Sequence, residues 1–401
     1  MGNLQKERGV TPASSELPRV LLVHNHYQQQ GGEDSVVAAE LELLKSRGHE
    51  VDFYSRHNDE ISGMSRVAVA GETVWSSNTK REFGRVITDF QPDVIHVHNT
   101  FPLISPSLYW AATKARVPVV QTLHNFRLLC PQGTLLRDGK VCEDCVGHLP
   151  WRGVVHGCYR ESVAQSGVLA TMLSVHRLAG TYRQRIGRYI ALSEFCRSKF
   201  IEAGWDGRRL SVKPNFVDIA KNPDQARGSG LYVGRLSVEK GISVLAGAAS
   251  RISTISLNVI GTGPLSEQIG CHSNISALGW QEPATVELHM RAAAFLMLPS
   301  ICYESFPRTV VEAFACGTPV IASRLGSLAE IVADGVTGLL FNPGSAEDLA
   351  EKIAWAESHP DRMRQMGSRA RMEYEAKYTP ERNYGQLMNI YRAAMADMPD
   401  Q

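Results

Sequence analysis

The sequence lacks any long apolar run. Its longest uninterrupted stretch, AAAFLML at 292–298, lies between Arg291 and Pro299, where a membrane span needs roughly 20 residues. It also lacks an excess of either charge: 42 basic and 41 acidic side chains leave a formal net charge of +1. That argues against a dedicated nucleic-acid binder, a class that is usually clearly basic. The opening residues, MGNLQKERGVTPASSELP, are polar and show no apolar core of the secretory-signal kind, so residues 1–17 are expected to be a loose tail and the chain to be cytoplasmic. The eight cysteines of such a chain do not suggest a disulfide framework.

What is present is ordinary in bulk and specific in detail. The length of 401 residues points to two domains. An apolar share of 43% with 21% charged residues fits a soluble globular protein and excludes collagen, coiled coil and bulk disorder. The 34 glycines and 19 prolines fit many short turns.

Short apolar runs alternate with helical patterns. RVLLVHN (19–25), a glycine pair, the periodic segment 33–48 and HEVDFYS (49–55) make a βαβ start, which implies a parallel sheet. DVIHVHN (93–99), PVVQTLHN (118–125) and RYIALS (188–193) continue the strands, with helices at 105–115 and 194–204. A second series follows: strands at 230–235 and 255–263, a helix at 238–250, and short buried strands at 274–278, 294–300, 318–323 and 337–341. The low-apolar stretch 218–230 is the linker candidate. The expected architecture is α/β, two Rossmann-like doubly wound domains facing a cleft. The first domain covers 18–217, the second 218–379, and a last helix at 380–397 crosses back to the first. In such sheets ligands bind beyond the carboxyl ends of the strands.

Several residues fall at those ends. In ESFPRTVVE, Glu304 and Glu312 flank the start of a helix, with Pro307 at its expected first position. They read either as two carboxylates gripping hydroxyls at opposite ends of one ligand, beside phosphate-binding amides, or as two solvated glutamates. Arg235 and Lys240, in GRLSVEKG, read as a diphosphate-binding pair or as a salt-bridged surface turn. Gly261 and Gly263, in GTGP, read as a close approach for a nucleotide or as a plain tight turn. Gly31-Gly32 would let backbone amides approach a phosphate, although the sequence there is not GxGxxG. His124, at the end of a strand, faces the cleft in this reading, as do His98 and Asn99; the plain alternative for each is a structural role.

Together GGED (31–34), HVHN (96–99), TLHNFRLLCP (122–131), PNFVD (214–218), GRLSVEKG and ESFPRTVVEAFACGTPVIAS (304–323) resemble the retaining glycosyltransferases of the GT-B fold, family 4, over about residues 19–397. The resemblance implies a nucleotide-diphosphate sugar donor, UDP- or GDP-linked, held by the second domain. It implies that Arg235 and Lys240 neutralise the diphosphate, that Glu312 bonds the ribose, that Glu304 bonds the transferred sugar, and that Gly32 brings an amide to the phosphates. His124 would contact the sugar from the acceptor side. Gly31, Gly261, Gly263, Ser305, Phe306 and Pro307 complete the donor-binding set. Catalysis would require no cofactor, and the anomeric configuration would be retained. Ser305 takes a place where relatives have Gly, Ala or Ser, and Arg308 adds a charge that bears on donor choice. The alternatives are a GT-B-fold sugar-nucleotide epimerase and a non-catalytic sugar-nucleotide-binding protein.

Two features stand outside this set. Cys130, Cys142, Cys145 and Cys158 have the spacing C-x11-C-x2-C-x12-C, which reads as a structural zinc set, as free or paired thiols, or as disulfides. Residues 177–213 carry nine Lys and Arg against three acids. They read as a solvated helix face or as a surface drawn to an anionic membrane or a lipid-diphosphate acceptor. The second reading fits a glycan or lipid-linked acceptor, work in cell-surface polysaccharide or lipopolysaccharide assembly, and a place on the inner face of the membrane.

Overall fold

The alternation of apolar runs and amphipathic segments folds into two sheets of six parallel strands each. The computed structural model describes residues 17–28, 31–221, 227–252 and 255–397. The expected N-terminal tail, save Leu17, and the middle of the expected linker lie outside the described residues. The strands are β1 (Val20–His26), β2 (Val51–His57), β3 (Val94–Asn99), β4 (Val119–Leu123), β5 (Leu136–Arg137), β6 (Lys140–Val141), β7 (Arg188–Ala191) and β8 (Leu210–Val212) in the first half. The second half supplies β9 (Gly230–Val233), β10 (Leu257–Ile260), β11 (Ile275–Gly279), β12 (Phe295–Leu298), β13 (Val320–Ser323) and β14 (Gly338–Phe341). The first sheet runs β2-β1-β3-β4-β7-β8 and the second β11-β10-β9-β12-β13-β14, while β5 and β6 form a small antiparallel hairpin.

Each sheet reverses direction once, between β1 and β3 and between β9 and β12. Ligands of open α/β sheets sit at such reversals, beyond the strand ends. The GGED turn follows β1, HVHN ends β3, GRL follows β9 and the segment carrying Glu304 follows β12. Topology alone therefore gathers the motifs at two facing crevices.

Two expectations change in detail. The segment 274–278, expected to be buried, becomes the edge strand β11, half exposed because it has a partner on one side only. The helix expected at 238–250 is split. A 3-10 turn covers Val238–Lys240, Gly241 adopts φ +72°, and the helix proper is Ile242–Ala249. Helices at Arg66–Val74, Ser77–Phe90 and Val163–Leu178 were not read from the sequence. The last helix, Pro380–Ala396, does pack on the first sheet: Tyr384 OH reaches His49 (2.9 Å), Arg47 pairs with Glu381 (2.9 Å), and Tyr391 lies buried against His96 (2.8 Å).

Candidate active site

Strands buried on both faces are normally continuous apolar runs. β1 and β3 instead carry His24, Asn25, His96, His98 and Asn99, all buried. Buried polar groups need partners, and finding those partners builds the first wall of the cleft. After β1 the chain turns through Gly31 into the helix Gly32–Ser46. Asp34 closes this turn. One carboxylate oxygen sits 3.0 Å from His24 Nε2 and 3.1 Å from His26 Nδ1, and the other accepts from the Gly31 amide at 2.8 Å. Burial alone would raise the pKa of Asp34, but these bonds outweigh it and hold the carboxyl at about 2. Gly31 and Gly32 are left exposed at the lip of the cleft.

Deeper, Glu40 of the same helix is buried against three basic groups. Lys213 Nζ lies 3.0 Å away, His96 Nδ1 2.8 Å and His98 Nε2 3.3 Å. Burial would raise this carboxyl, but Lys213 and the imidazoles keep it ionised, well below the usual range. Lys213 also donates to Asn383 Oδ1 (3.2 Å) on the last helix. His98 Nδ1 lies 2.9 Å from Nε2 of His124, and the two rings stack with centroids 5.2 Å apart. Burial, and then the neighbouring His98, hold His124 well below the usual histidine range, so it is neutral.

In the second domain the position of Lys240 depends on Gly241. A Cβ at 241 would fall 1.8 Å from the carbonyl oxygen of Pro299, and the residue has φ +72°. Only glycine lets this turn lie against the end of β12. The result is a contact between Lys240 Nζ and Glu304 Oε1 at 2.6 Å, with Ser300 Oγ donating to the same oxygen at 2.8 Å. Burial would raise Glu304, but Lys240 outweighs it and the carboxyl is lowered. Glu312 contrasts with it. Burial raises its carboxyl, and Arg308 Nε, 3.3 Å away, offsets this only in part. Arg235 is exposed and makes no side-chain hydrogen bond or ion pair among the described residues.

Gly261 and Gly263 have a packing reason. A Cβ at either would fall 1.9 Å from the Gly234 carbonyl oxygen or 2.3 Å from that of Leu236. The turns after β9 and β10 thus touch backbone to backbone. Pro307 is a correction: it stands at the cap position, with the helix running Arg308–Ala315, so the first-turn amides belong to Arg308 and Thr309.

The two walls enclose one cleft of about 2850 Å³. All twelve residues named above as catalytic or donor-binding line it: Gly31, Gly32, His124, Arg235, Lys240, Gly261, Gly263, Glu304, Ser305, Phe306, Pro307 and Glu312. So do Arg127, Tyr232, Ser300 and Arg308. Of these, Arg127, Tyr232 and Ser300 were not singled out from the sequence, since no local pattern marks a lone residue whose role is set by a distant strand. Glu40 was missed for a simpler reason: it reads as an ordinary helical glutamate. The walls meet at Ser305, whose hydroxyl donates to the His124 carbonyl and whose own carbonyl accepts from Ser193 Oγ at 3.0 Å.

The four cysteines of the loop, all free, line one small separate cavity with Arg137, Asp144 and Arg152. Among the described residues, the sets of three ligand atoms lying within 4.8 Å of one another are His24/His26/Asp34 and Glu40/His96/His98, not these thiols. Those two sets are already bonded internally, and Lys213 supplies the cation at Glu40. The basic stretch also differs from expectation. It crosses a helix end, the short helix Thr181–Gln184, β7, the helix Glu194–Glu202 and β8, and its charges are largely engaged. Arg188 pairs with Asp397 (2.8 Å), Lys199 with Glu143 (3.0 Å) and Glu202 (2.8 Å), and Arg208 with Asp206 (2.9 Å). Arg197 and Arg209 donate to main-chain carbonyls, and Lys213 is buried. It is not one solvated helix face. No described helix is long and apolar enough to cross a membrane.

The comparisons with known proteins agree with this geometry. The family described as glycosyltransferase family 4 matches residues 30–221, and that described as glycosyl transferases group 1 matches residues 220–373. A D-inositol 3-phosphate glycosyltransferase of Segniliparus rotundus is 29% identical over 313 residues, 64% of this chain and 69% of the relative. A phosphatidyl-myo-inositol mannosyltransferase of Mycolicibacterium smegmatis is 26% identical over 354 residues, 80% of each chain. Among solved structures, HepE of Anabaena in complex with UDP superposes with a TM-score of 0.64 at 18% identity, over 94% of this chain and 100% of that one. Sucrose-phosphate synthase from Thermosynechococcus elongatus superposes with a TM-score of 0.69 at 20% identity, over 95% and 100%. At these identities the two structures speak for the fold, which is GT-B. The two family matches between them take in nearly the whole described chain, and it belongs to the group 1 glycosyltransferases.

Proposed function

We propose that this chain moves a hexose from a UDP- or GDP-linked sugar to a glycan or lipid-linked acceptor, with retention of anomeric configuration. The observation that carries the reading is the Lys240–Glu304 pair (2.6 Å) set across the cleft from neutral His124. An ammonium has three N–H donors; Lys240 directs one to Glu304, and two remain for a diphosphate. Arg235, exposed and without a side-chain partner among the described residues, adds a planar fork for the same oxygens. The Gly31 and Gly32 turn offers amides from the opposite wall. In this reading Glu312, on the same helix as Arg308, takes the ribose hydroxyls, and Glu304 keeps one oxygen for hydroxyls of the sugar.

As the sugar leaves, negative charge grows on the phosphate, and fixed cations there lower the barrier. In this reading those cations are Arg235 and Lys240, and the reaction needs no cofactor. Retention follows if the acceptor attacks the face the diphosphate vacates, its proton passing to a phosphate oxygen. The acceptor side is supported by Leu149, Trp151 and Val155, which stand exposed just before the cleft-lining Tyr159 and Arg160. Such a surface suits cell-surface polysaccharide or lipopolysaccharide assembly at the inner face of a membrane. The reading also keeps a structural zinc ion among Cys130, Cys142, Cys145 and Cys158, supported by their convergence on one cavity.

A donor screen tests the proposal. UDP-, GDP-, ADP- and dTDP-sugars are offered without acceptor. Binding with slow hydrolysis of a UDP- or GDP-sugar is the expected result. Interconversion of free donor would reassign the chain as an epimerase, and binding with neither hydrolysis nor interconversion as a non-catalytic sugar-nucleotide-binding protein.

A further inference from the structure

His124 is neutral, and a neutral imidazole has one donor and one acceptor nitrogen, fixed by what the other ring atom meets. Its Nε2 meets His98 Nδ1 at 2.9 Å. His98 has no exposed side-chain surface, and its Nε2 faces Glu40 Oε1 at 3.3 Å. His98 Nε2 faces no other polar partner among the described residues, while Glu40 Oε1 also meets His96 Nδ1 at 2.8 Å and so sits between two imidazoles. Glu40 is held ionised by Lys213.

These contacts admit one proton arrangement. If His98 carried its proton on Nδ1, its Nε2 lone pair would face a carboxylate oxygen in a buried place, which is repulsive. With the proton on Nε2, His98 points it at Glu40, and Nδ1 becomes an acceptor. His124 must then donate from Nε2, so its Nδ1 is the acceptor. That atom makes no hydrogen bond among the described residues and is not sealed from solvent, on a residue that lines the cleft.

We propose that Glu40 and His98 are positioning residues that lock His124 in the Nε2–H tautomer, presenting Nδ1 as a hydrogen-bond acceptor to a hydroxyl of the donor sugar. The last helix takes part in this device. Asn383 binds Lys213 (3.2 Å), and Tyr391 OH lies 2.8 Å from His96 Nδ1, the second imidazole nitrogen at Glu40 Oε1. The inference rests on the function proposed above only for the identity of the hydroxyl; the tautomer itself does not depend on it.

The test is nitrogen-15 histidine spectroscopy of the full chain, with His124 assigned by its loss in His124→Phe. The expected spectrum shows His124 protonated on Nε2. In Glu40→Gln/Lys213→Met, which removes the buried charge pair as a unit, His124 should populate both tautomers, and transfer should fall several-fold, as for a lost hydrogen bond between neutral groups. Affinity for bare UDP should be unchanged. His98→Gln supplies a carbonyl acceptor and should retain most activity, whereas His98→Leu should match the double variant. A His124 protonated on Nδ1 in the wild type, or a tautomer and rate unmoved in both the double variant and His98→Leu, would overturn the proposal. Should the tautomer shift as expected while His124→Phe keeps full transfer, the lock stands as a structural fact, but its catalytic role and the placing of His124 at the sugar both fail.

Discussion

The Ser305 hydroxyl donates to the main-chain carbonyl of His124, a residue 181 positions earlier. Ser305 follows Glu304 directly, so one bond fastens the glutamate of the second domain to the histidine of the first. Ser193 Oγ on the Ser305 carbonyl (3.0 Å), and Glu330 accepting from the amides of Glu194 (2.9 Å) and Phe195 (2.7 Å), extend the same seam. The distance between the two proposed sugar contacts is therefore set by a stitched interface.

Ser305→Ala removes that stitch and little else. A neutral hydrogen bond contributes about 1 kcal/mol, so global stability should change slightly. The turnover of a reaction that needs both walls should fall several-fold, while affinity for bare nucleoside diphosphate stays put. Calorimetric binding beside single-turnover transfer checks this; equal losses in both would show that Ser305 acts on the nucleotide instead.

Much of the fold was legible because parallel strands buried on both faces announce themselves as apolar runs, as LLV in β1 and FLML in β12 do. The edge strand β11 was placed but misjudged as buried, since sequence carries no label for sheet order. The donor wall was legible because Lys240, Glu304 and Glu312 sit in dense local motifs. The relay behind His124 was not. Glu40, His98, Lys213 and Asn383 come from four separate elements, and only the folded sheet makes them neighbours. Gly241 was passed over although its close contact with Pro299 positions Lys240.

Replacing Arg235 or Lys240 by Ala should weaken nucleoside-diphosphate binding and slow transfer, since each opposes charge that grows as the sugar leaves. Glu304→Gln should lower transfer at least about tenfold while binding of bare UDP or GDP is nearly kept, because its proposed partner is the sugar. Wild-type affinity and rate in both cation variants would remove the assigned phosphate site.

Asp34 predicts an acid limb in stability. Its carboxyl is held at about 2 against an ordinary 3.8, so the folded state gains from its ionised form. That gain is present above the ordinary value and is lost as pH falls through 4 toward 2; it amounts to about 2 kcal/mol. Urea unfolding across that range should show it, and Asp34→Asn should flatten this part of the curve. An unchanged profile would mean the two histidines do not hold the charge.

The cysteine loop is tested by composition. Protein purified without added metal should carry one zinc per chain, with Cys130, Cys142, Cys145 and Cys158 protected and the exposed Cys271 reactive. Four titratable thiols and less than about a tenth of an equivalent of zinc would return these residues to free thiols. Burial already pushes Cys145 up to about 11, so without metal it should also be the slow member.

Glu312 gives the sharpest pH test of the donor site. Burial raises its carboxyl above the ordinary 4.5, and Arg308 beside it compensates only partly. The ionised form is the better acceptor for ribose hydroxyls, and a hydrogen bond to a charged group is worth roughly 1.5–3 kcal/mol. Nucleotide affinity should therefore rise with pH as Glu312 loses its proton, over a window displaced upward from that of a free glutamate. Glu312→Gln should bind about tenfold or more weakly at neutral pH and should lose that part of the pH dependence. The diphosphate titrates too, so the measure is the ratio of wild-type to variant affinity at each pH, by calorimetry. A ratio that is constant from acid to neutral pH would mean that Glu312 does not bond the nucleotide through its charge, and the ribose assignment would fall with it.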